Sequence, residues 1–322
     1  MGTVFVSAAI LYYFLGKEDW SELWKAAAQA DTVMAALGVF VPLLVFWITD
    51  AAFSVKSIEW FHRRVPLTDF IVVKAAFYLL TLVNISLGTG GVFLYFLRKA
   101  QISVRKQAGI LAWRISVAVS GYLAVFFLLT LAMLVFYPEQ AGRIRMDIWL
   151  PVLGVILALA ADWTARWMLG KSLVFRLLKP DPTSEFWAAF TLSRPRHWFI
   201  GWAYTVPAIV SNFLGMYVVA RAFGIDVPFF YFAFWIPVVV MFAALPVAFG
   251  GFGTTTAAWA GFFGGYASTA AIGAATIFIP GARLLLRIVL GLVFLPACMR
   301  ELEAVAVGEE VAVEKAEAEG PL

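Results

Sequence analysis

Eight long apolar stretches dominate this chain, near residues 2–16, 33–53, 69–97, 107–137, 148–169, 197–220, 228–265 and 270–298. They are of helix length, and none alternates apolar with polar residues as the strand of a membrane barrel would. A bilayer core holds no water to pair with peptide groups, so such stretches must satisfy their backbone internally, which an α-helix does. Only 14% of the residues are charged and 63% are hydrophobic, against about 25% charged in a soluble domain. The expected fold is an all-α polytopic membrane protein. A single cysteine, Cys298, excludes an internal disulfide framework, and two histidines, His62 and His197, form no metal-ligand cluster. Neither a metal nor a cofactor is expected. The opening MGTVFVSAAILYYFLG has no basic residue ahead of it and no clear cleavage site, and reads as an uncleaved helix.

Basic loops orient the helices, because lysine and arginine collect on the cytoplasmic side. SVKSIEWFHRR carries Lys56, Arg63 and Arg64, and RKAQISVRK carries Arg98, Lys99, Arg105 and Lys106. With both loops inside, residues 69–97 must enter and leave by one face, and the break NISLGTGG at Asn84–Gly91 permits that turn. The segment 138–147 is charge-balanced and suits an outer loop; Gly170–Arg196 is basic and belongs inside. A second break, PVAFGGFGTTT from Pro246 to Thr256, interrupts the stretch 228–265. Its return arm, Thr254–Gly265, would rise only about 18 Å as a helix, short of a hydrocarbon core of roughly 30 Å. The reading is a bundle with two inverted re-entrant helical hairpins, in pseudo-repeats 33–137 and 148–298, within one membrane domain of residues 1–300 and with both termini cytoplasmic. Residues 301–322 hold seven glutamates and one lysine, which divides the chain's +4 into −6 on the tail and +10 on the body. That composition predicts a disordered acidic tail. In KEDWSELWKAAAQAD, Trp20, Leu23 and Trp24 share a helical face, as on an interfacial helix at the outer surface.

Breaks at membrane depth leave peptide groups that must be buried in protein or line a polar cavity, and paired discontinuous hairpins mark the sites of many transporters. The candidate path is therefore Asn84, Gly88 and Gly91 in the first break and Gly250, Gly251, Gly253, Thr254, Thr255 and Thr256 in the second. Close helix packing is the alternative use of these small residues, and Ala257, Gly261 and Gly265, spaced by four, look like such a stripe. Arg283 and Arg287 sit four apart near the middle of the last apolar stretch, where an ionisable side chain is costly unless paired or solvated. With no carboxylate in that stretch, they suit a phosphate or other anionic group; pairing with Asp162 or with freed carbonyls is the alternative. Asp162 and Arg166 read as a local ion pair. Arg114 and Lys74 lie near enough to the inner boundary to snorkel, and lining a cytoplasmic entry is the alternative for both. Asn84 and Asn212 can instead hydrogen-bond across helices.

Taken in order, these features resemble the lysylphosphatidylglycerol synthase transmembrane family, a flippase-like domain. NISLGTGGVFLYFLR is similar to the family's asparagine, glycine-rich turn and following arginine, with Asn84, Gly88, Gly91 and Arg98 in comparable places. LPVAFGGFGTTT, followed by Arg283 and Gly291, is similar to its second signature. The chain departs where the family pattern has glutamate after each glycine turn: Val92 stands in the first, Thr255 or Thr256 in the second, and Gly88 replaces a proline. The resemblance implies movement of a lipid headgroup between leaflets of a bacterial inner membrane, with membrane lipids as partners and no enzymatic step. It does not transfer the substrate, because both acidic groups are missing. The phosphate-suited arginines point to an anionic headgroup, and a membrane-protein partner or homodimer would be compatible. There is no nucleotide-binding G-x-x-x-x-G-K-[ST] motif, and no nucleic acid is expected. A non-transporting scaffold and a lipid-modifying transferase are the competing readings; the second would need convergent carboxylates or histidines, which the apolar stretches scarcely contain.

Overall fold

The computed structural model describes residues 20–83, 85–136, 138–139, 184–243 and 254–319. The expected helices at 2–16 and 148–169, the Asp162 and Arg166 pair, Asn84, Gly250, Gly251 and Gly253 lie outside the described residues. In chain order the helices are α1 (Trp20–Gln29), α2 (Thr32–Phe61), α3 (Leu67–Val83), α4 (Ile85–Lys99), α5 (Val104–Phe136), a 3-10 turn (Glu185–Trp187) leading into α6 (Ala188–Leu192), α7 (Pro195–Ala222), α8 (Phe229–Ala243), α9 (Thr254–Phe263) and α10 (Thr269–Glu319). No strand occurs among the described residues. Four helices, Thr32–Phe61, Val104–Phe136, Pro195–Ala222 and the Thr269–Ala304 part of α10, are long and apolar enough to cross a membrane. The protein is an all-α polytopic membrane protein.

The shorter helices pair. α3 has 17 residues and α4 has 15, about 25 Å and 22 Å of rise, so neither arm alone matches a core of roughly 30 Å. They run antiparallel: Asp69 at the start of α3 meets Lys99 at the end of α4 at 3.5 Å, and the Phe70 and Phe96 rings lie 4.5 Å apart. α8 and α9 pack in the same sense, with Phe232 on Phe263 at 4.9 Å and Trp235 on Phe262 at 4.0 Å. The order long helix, hairpin, long helix thus occurs twice, in α2–α5 and in α7–α10.

By contact the chain divides into two compact units. One comprises Met1–Val45, Tyr122–Ala158 and Pro207–Leu285; the other comprises Phe46–Gly121, Leu159–Val206 and Leu286–Leu322. Each long helix contributes a segment to both, and each unit holds one hairpin.

In the first unit α2 and α7 touch backbone to backbone. A Cβ at Gly215 would overlap the carbonyl oxygen of Gly38, and one at Gly38 would lie 2.8 Å from that of Gly215. Small residues at such a crossing admit the dispersion contacts on which helices in lipid depend. Tyr122 donates to the Pro237 carbonyl at 2.7 Å, and Thr256 and Thr276 share a hydroxyl hydrogen bond of 3.0 Å between α9 and α10. No described residue stands within 4 Å of a Cβ at Gly261 or Gly265, so among the described residues nothing packs on the expected stripe there. On α1, Leu23 packs against Ala270, while Trp20 and Trp24 are 69% and 78% exposed. The three residues expected on one face therefore divide into an anchor on the protein and two indoles turned outward.

The second unit is built around Phe53, Phe61, Phe70, Phe96, Trp113 and Trp198, all but fully buried. His197 stacks on Trp60 at 4.8 Å. At the open end of the α3/α4 hairpin, where α3 starts and α4 finishes, Glu301 of α10 accepts from Lys99 at 2.6 Å and from the Tyr95 hydroxyl at 3.2 Å. Burial opposes the charge on Lys99, but Glu301 and Asp69 together outweigh it and hold the ammonium above its ordinary pKa. α10 continues to Glu319, so the tail expected to be disordered is helical here; alanine and glutamate, which dominate its end, are strong helix formers.

Candidate functional site

Ionisable side chains inside this bundle converge in the second unit. Asp50 lies on α2, 11 residues before its end at Phe61, or about 16 Å along the axis. Its Oδ2 accepts from Lys74 of α3 and its Oδ1 from Arg114 of α5 at 2.7 Å. Lys74 is 6% exposed, and a lone ammonium so enclosed would carry a desolvation cost of several kcal/mol. The shared carboxylate offsets that cost for two cations at once. Lys74 and Arg114 therefore do not snorkel to the boundary as the sequence suggested; a counter-charge within reach holds them inside.

Asp50, Lys74 and Arg114 line a cavity of about 380 Å³ together with Arg287 of α10. Each cation also lies over an aromatic face: Lys74 over Phe46 at 5.6 Å, Arg114 over Phe53 at 5.2 Å, and Arg287 over Tyr78 at 5.6 Å. These contacts stabilise a cation by roughly 0.5–2 kcal/mol without neutralising it. Helical periodicity explains how the residues meet. Phe46, Asp50, Phe53 and Ser54 form one stripe of α2, Lys74, Phe77, Tyr78 and Thr81 one stripe of α3, and Gln107, Leu111, Arg114 and Ala118 one stripe of α5. Gly88 brings α4 close: a Cβ there would overlap the Thr81 methyl.

Among the described residues the lining charge is unbalanced, with three cations against one carboxylate. Hydrogen bonding is unbalanced too. Seven buried side-chain polar atoms lack a partner among the described residues, and four of them belong to this cavity: Tyr78 Oη, Gln107 Oε1, Arg114 Nε and Arg287 Nε. The other three are indole N–H groups. The hydroxyls of Ser54, Thr81 and Thr205, which also line the cavity, donate to carbonyls of their own helices. An unmet buried polar group costs about 1–3 kcal/mol, so four around one cavity describe a surface shaped for polar contents. Where the cavity reaches the outside it is greasy: Phe46 and Ile115 line it and are 44% and 55% exposed.

Of the residues singled out from sequence, Arg287, Arg114 and Gly88 are brought together here. Gly91 is not on the wall; a Cβ there would press on Phe77 at 3.2 Å, which makes it a packing glycine of the hairpin. Arg283 belongs to the first unit, where it donates to Asn212 Oδ1 at 2.6 Å. The pair at spacing four is thus divided: Asn212 takes Arg283 in an interhelical hydrogen bond, and Arg287 faces the cavity. Thr254 opens α9, and Thr255 and Thr256 are 6% and 3% exposed, Thr256 on Thr276. Val92, at the place where the resemblance leads one to look for glutamate, lines the cavity and adds no charge. Sequence reasoning passed over Asp50, Tyr78 and Gln107. Their signal was present as polar residues at helical spacing, Lys74-Tyr78-Thr81 and Gln107-Leu111-Arg114, in otherwise apolar stretches.

Compared with known proteins, residues 1–291 match the family model described as the lysylphosphatidylglycerol synthase TM region. No curated protein and no solved structure gives a match.

Proposed function

This chain belongs to the lysylphosphatidylglycerol synthase transmembrane-region family, and from that premise we propose that it takes a phospholipid headgroup into the second-unit cavity and passes it between leaflets. The observation that carries the reading is a cavity whose described lining is net cationic and whose edge is apolar at Phe46 and Ile115. A phosphate fits the cations, and an edge of exposed hydrophobic residues lets acyl chains stay in the bilayer while the headgroup is inside. Arg287, which has no carboxylate partner among the described residues, is the first ligand for the phosphate; Lys74 and Arg114 are held ready by Asp50. In this reading the α3/α4 and α8/α9 hairpins dip into the membrane from opposite faces, in a bacterial inner membrane with both termini cytoplasmic. No covalent step is required of the protein.

Reconstitution into liposomes carrying phosphatidylglycerol with a fluorescent label on an acyl chain, its headgroup left intact, tests it. Dithionite quenches only outer-leaflet label, so translocation appears as loss beyond half of the signal. The wild type is expected to exceed protein-free liposomes, and Arg287→Ala is expected to bring the loss back to half without lowering incorporation. Equal quenching by the wild type and by empty liposomes would remove translocation, and unaltered activity in Arg287→Ala would remove this cavity from the path.

A further inference from the structure

Which headgroup the cavity takes follows from what its polar atoms lack, on the reading that it is a headgroup site. We infer that the ligand is a net-anionic phospholipid whose group beyond the phosphate is uncharged and hydroxyl-bearing, a polyol rather than an amine. Arg114 Nε and Arg287 Nε are buried N–H donors without an acceptor among the described residues. Guanidinium groups in that state call for an oxyanion, because charge-assisted hydrogen bonds to phosphate oxygens are the strongest they form. That accounts for the phosphate.

Tyr78 and Gln107 account for the rest. They are 7% and 6% exposed, line the same cavity, and have Tyr78 Oη and Gln107 Oε1 unpartnered among the described residues. The Tyr78 phenol both donates and accepts, and the unmet Gln107 atom is an amide oxygen that accepts, so a hydroxyl, which does both, answers the two together. An ammonium only donates, and it needs an anion. The one carboxylate among the described lining residues, Asp50, is committed through both oxygens to Lys74 and Arg114. A cationic headgroup would add positive charge to a wall that, among the described residues, already holds three cations against one anion and has no carboxylate left to receive it. Lipids esterified with a basic amino acid, or ending in choline, are thereby disfavoured, and a glycerol- or sugar-type headgroup is selected.

Native mass spectrometry of the full chain, exchanged into an equimolar mixture of phosphatidylglycerol, phosphatidylethanol, phosphatidylcholine and the lysyl ester of phosphatidylglycerol, reads this directly. Phosphatidylethanol keeps the anionic phosphate and lacks the hydroxyls. Phosphatidylglycerol is expected to be retained about tenfold over phosphatidylethanol, the scale of one buried hydrogen-bonding group left unmet, and more strongly over the other two. Gln107→Leu should bring the two anionic lipids level, and Arg287→Gln should weaken both about tenfold. Equal retention of the two anionic lipids by the wild type, or retention of the lysyl ester on a par with phosphatidylglycerol, would overturn the inference while leaving the headgroup reading in place. Phosphatidylcholine held as well as the anionic lipids, with Arg287→Gln silent, would end both. Displacement of phosphatidylglycerol by an equal concentration of aqueous sn-glycerol 3-phosphate would assign the site to a soluble phosphate ester instead. The wild-type comparison decides the matter by itself if a variant fails to fold.

Discussion

Replacing Asp50 by asparagine removes the one negative charge that the described residues bring to the cavity, while keeping the side chain's size and one of its acceptors. Lys74, 6% exposed, and Arg114, whose side chain is 15% exposed, are then left facing each other without a counter-ion. Removing one partner of a buried ion pair costs about 3–5 kcal/mol; Asp50 itself is 33% exposed, so partial solvation puts the loss near the lower end, at about 3 kcal/mol. For a chain of this size that lowers the thermal midpoint by roughly 6–12 °C, measured in detergent at a fixed scan rate because membrane proteins rarely unfold reversibly. The triple change D50L/K74M/R114M removes the charges together and is expected to recover most of the loss, since a well-packed apolar replacement of a buried charge cluster is often neutral. Affinity should move the other way. With Asp50 neutralised the cavity walls gain one net positive charge, so D50N is expected to retain phosphatidylglycerol more tightly than the wild type even as it melts earlier. A midpoint within about 2 °C of wild type, or a triple variant that falls as far as D50N, would refute the idea that this carboxylate holds two buried cations in place.

Three further outcomes follow from the packing. Gly215→Ala should cost close to 3 kcal/mol, the top of the usual range for overpacking, because the obstruction is the Gly38 backbone and cannot rotate away; thermal midpoints of G215A and of the milder G38A measure it. Gly88→Ala should destabilise by about 1–3 kcal/mol and should be rescued by Thr81→Ser, which deletes the methyl group in its way; failure of that rescue would move the fault elsewhere. Glu301→Gln should loosen the hairpin end by about 1 kcal/mol, since Lys99 and Glu301 are partly exposed at 28% and 18%. Lys99 has a raised pKa when folded, so this contribution is complete below the ordinary lysine value of 10.5 and fades as pH climbs past it toward the folded value. Hydrogen exchange of α4 in E301Q should accordingly lose the alkaline dependence that the wild type shows.

What the sequence determined unaided is the solvent and therefore the fold class. Helix-length apolar runs with few charges admit only helices in lipid. The break expected at Asn84–Gly91 is too broad, because Ile85–Gly91 belongs to α4 and Gly88 and Gly91 serve helix packing there. That Arg287 and Arg114 would need something polar was also legible, because a guanidinium at membrane depth has few inexpensive surroundings. Which partner each cation takes was not. Arg283 and Arg287 share a helix face yet differ in fate, one on Asn212 and one on the cavity wall. Lys74 and Arg114 read as boundary anchors until Asp50, 24 and 64 positions away in the chain, is seen between them. Spacing along one helix specifies which residues share a face, by periodicity. It says nothing of which faces of other helices come opposite, and electrostatic partnership is set by that through-space proximity, which only the packed chain supplies.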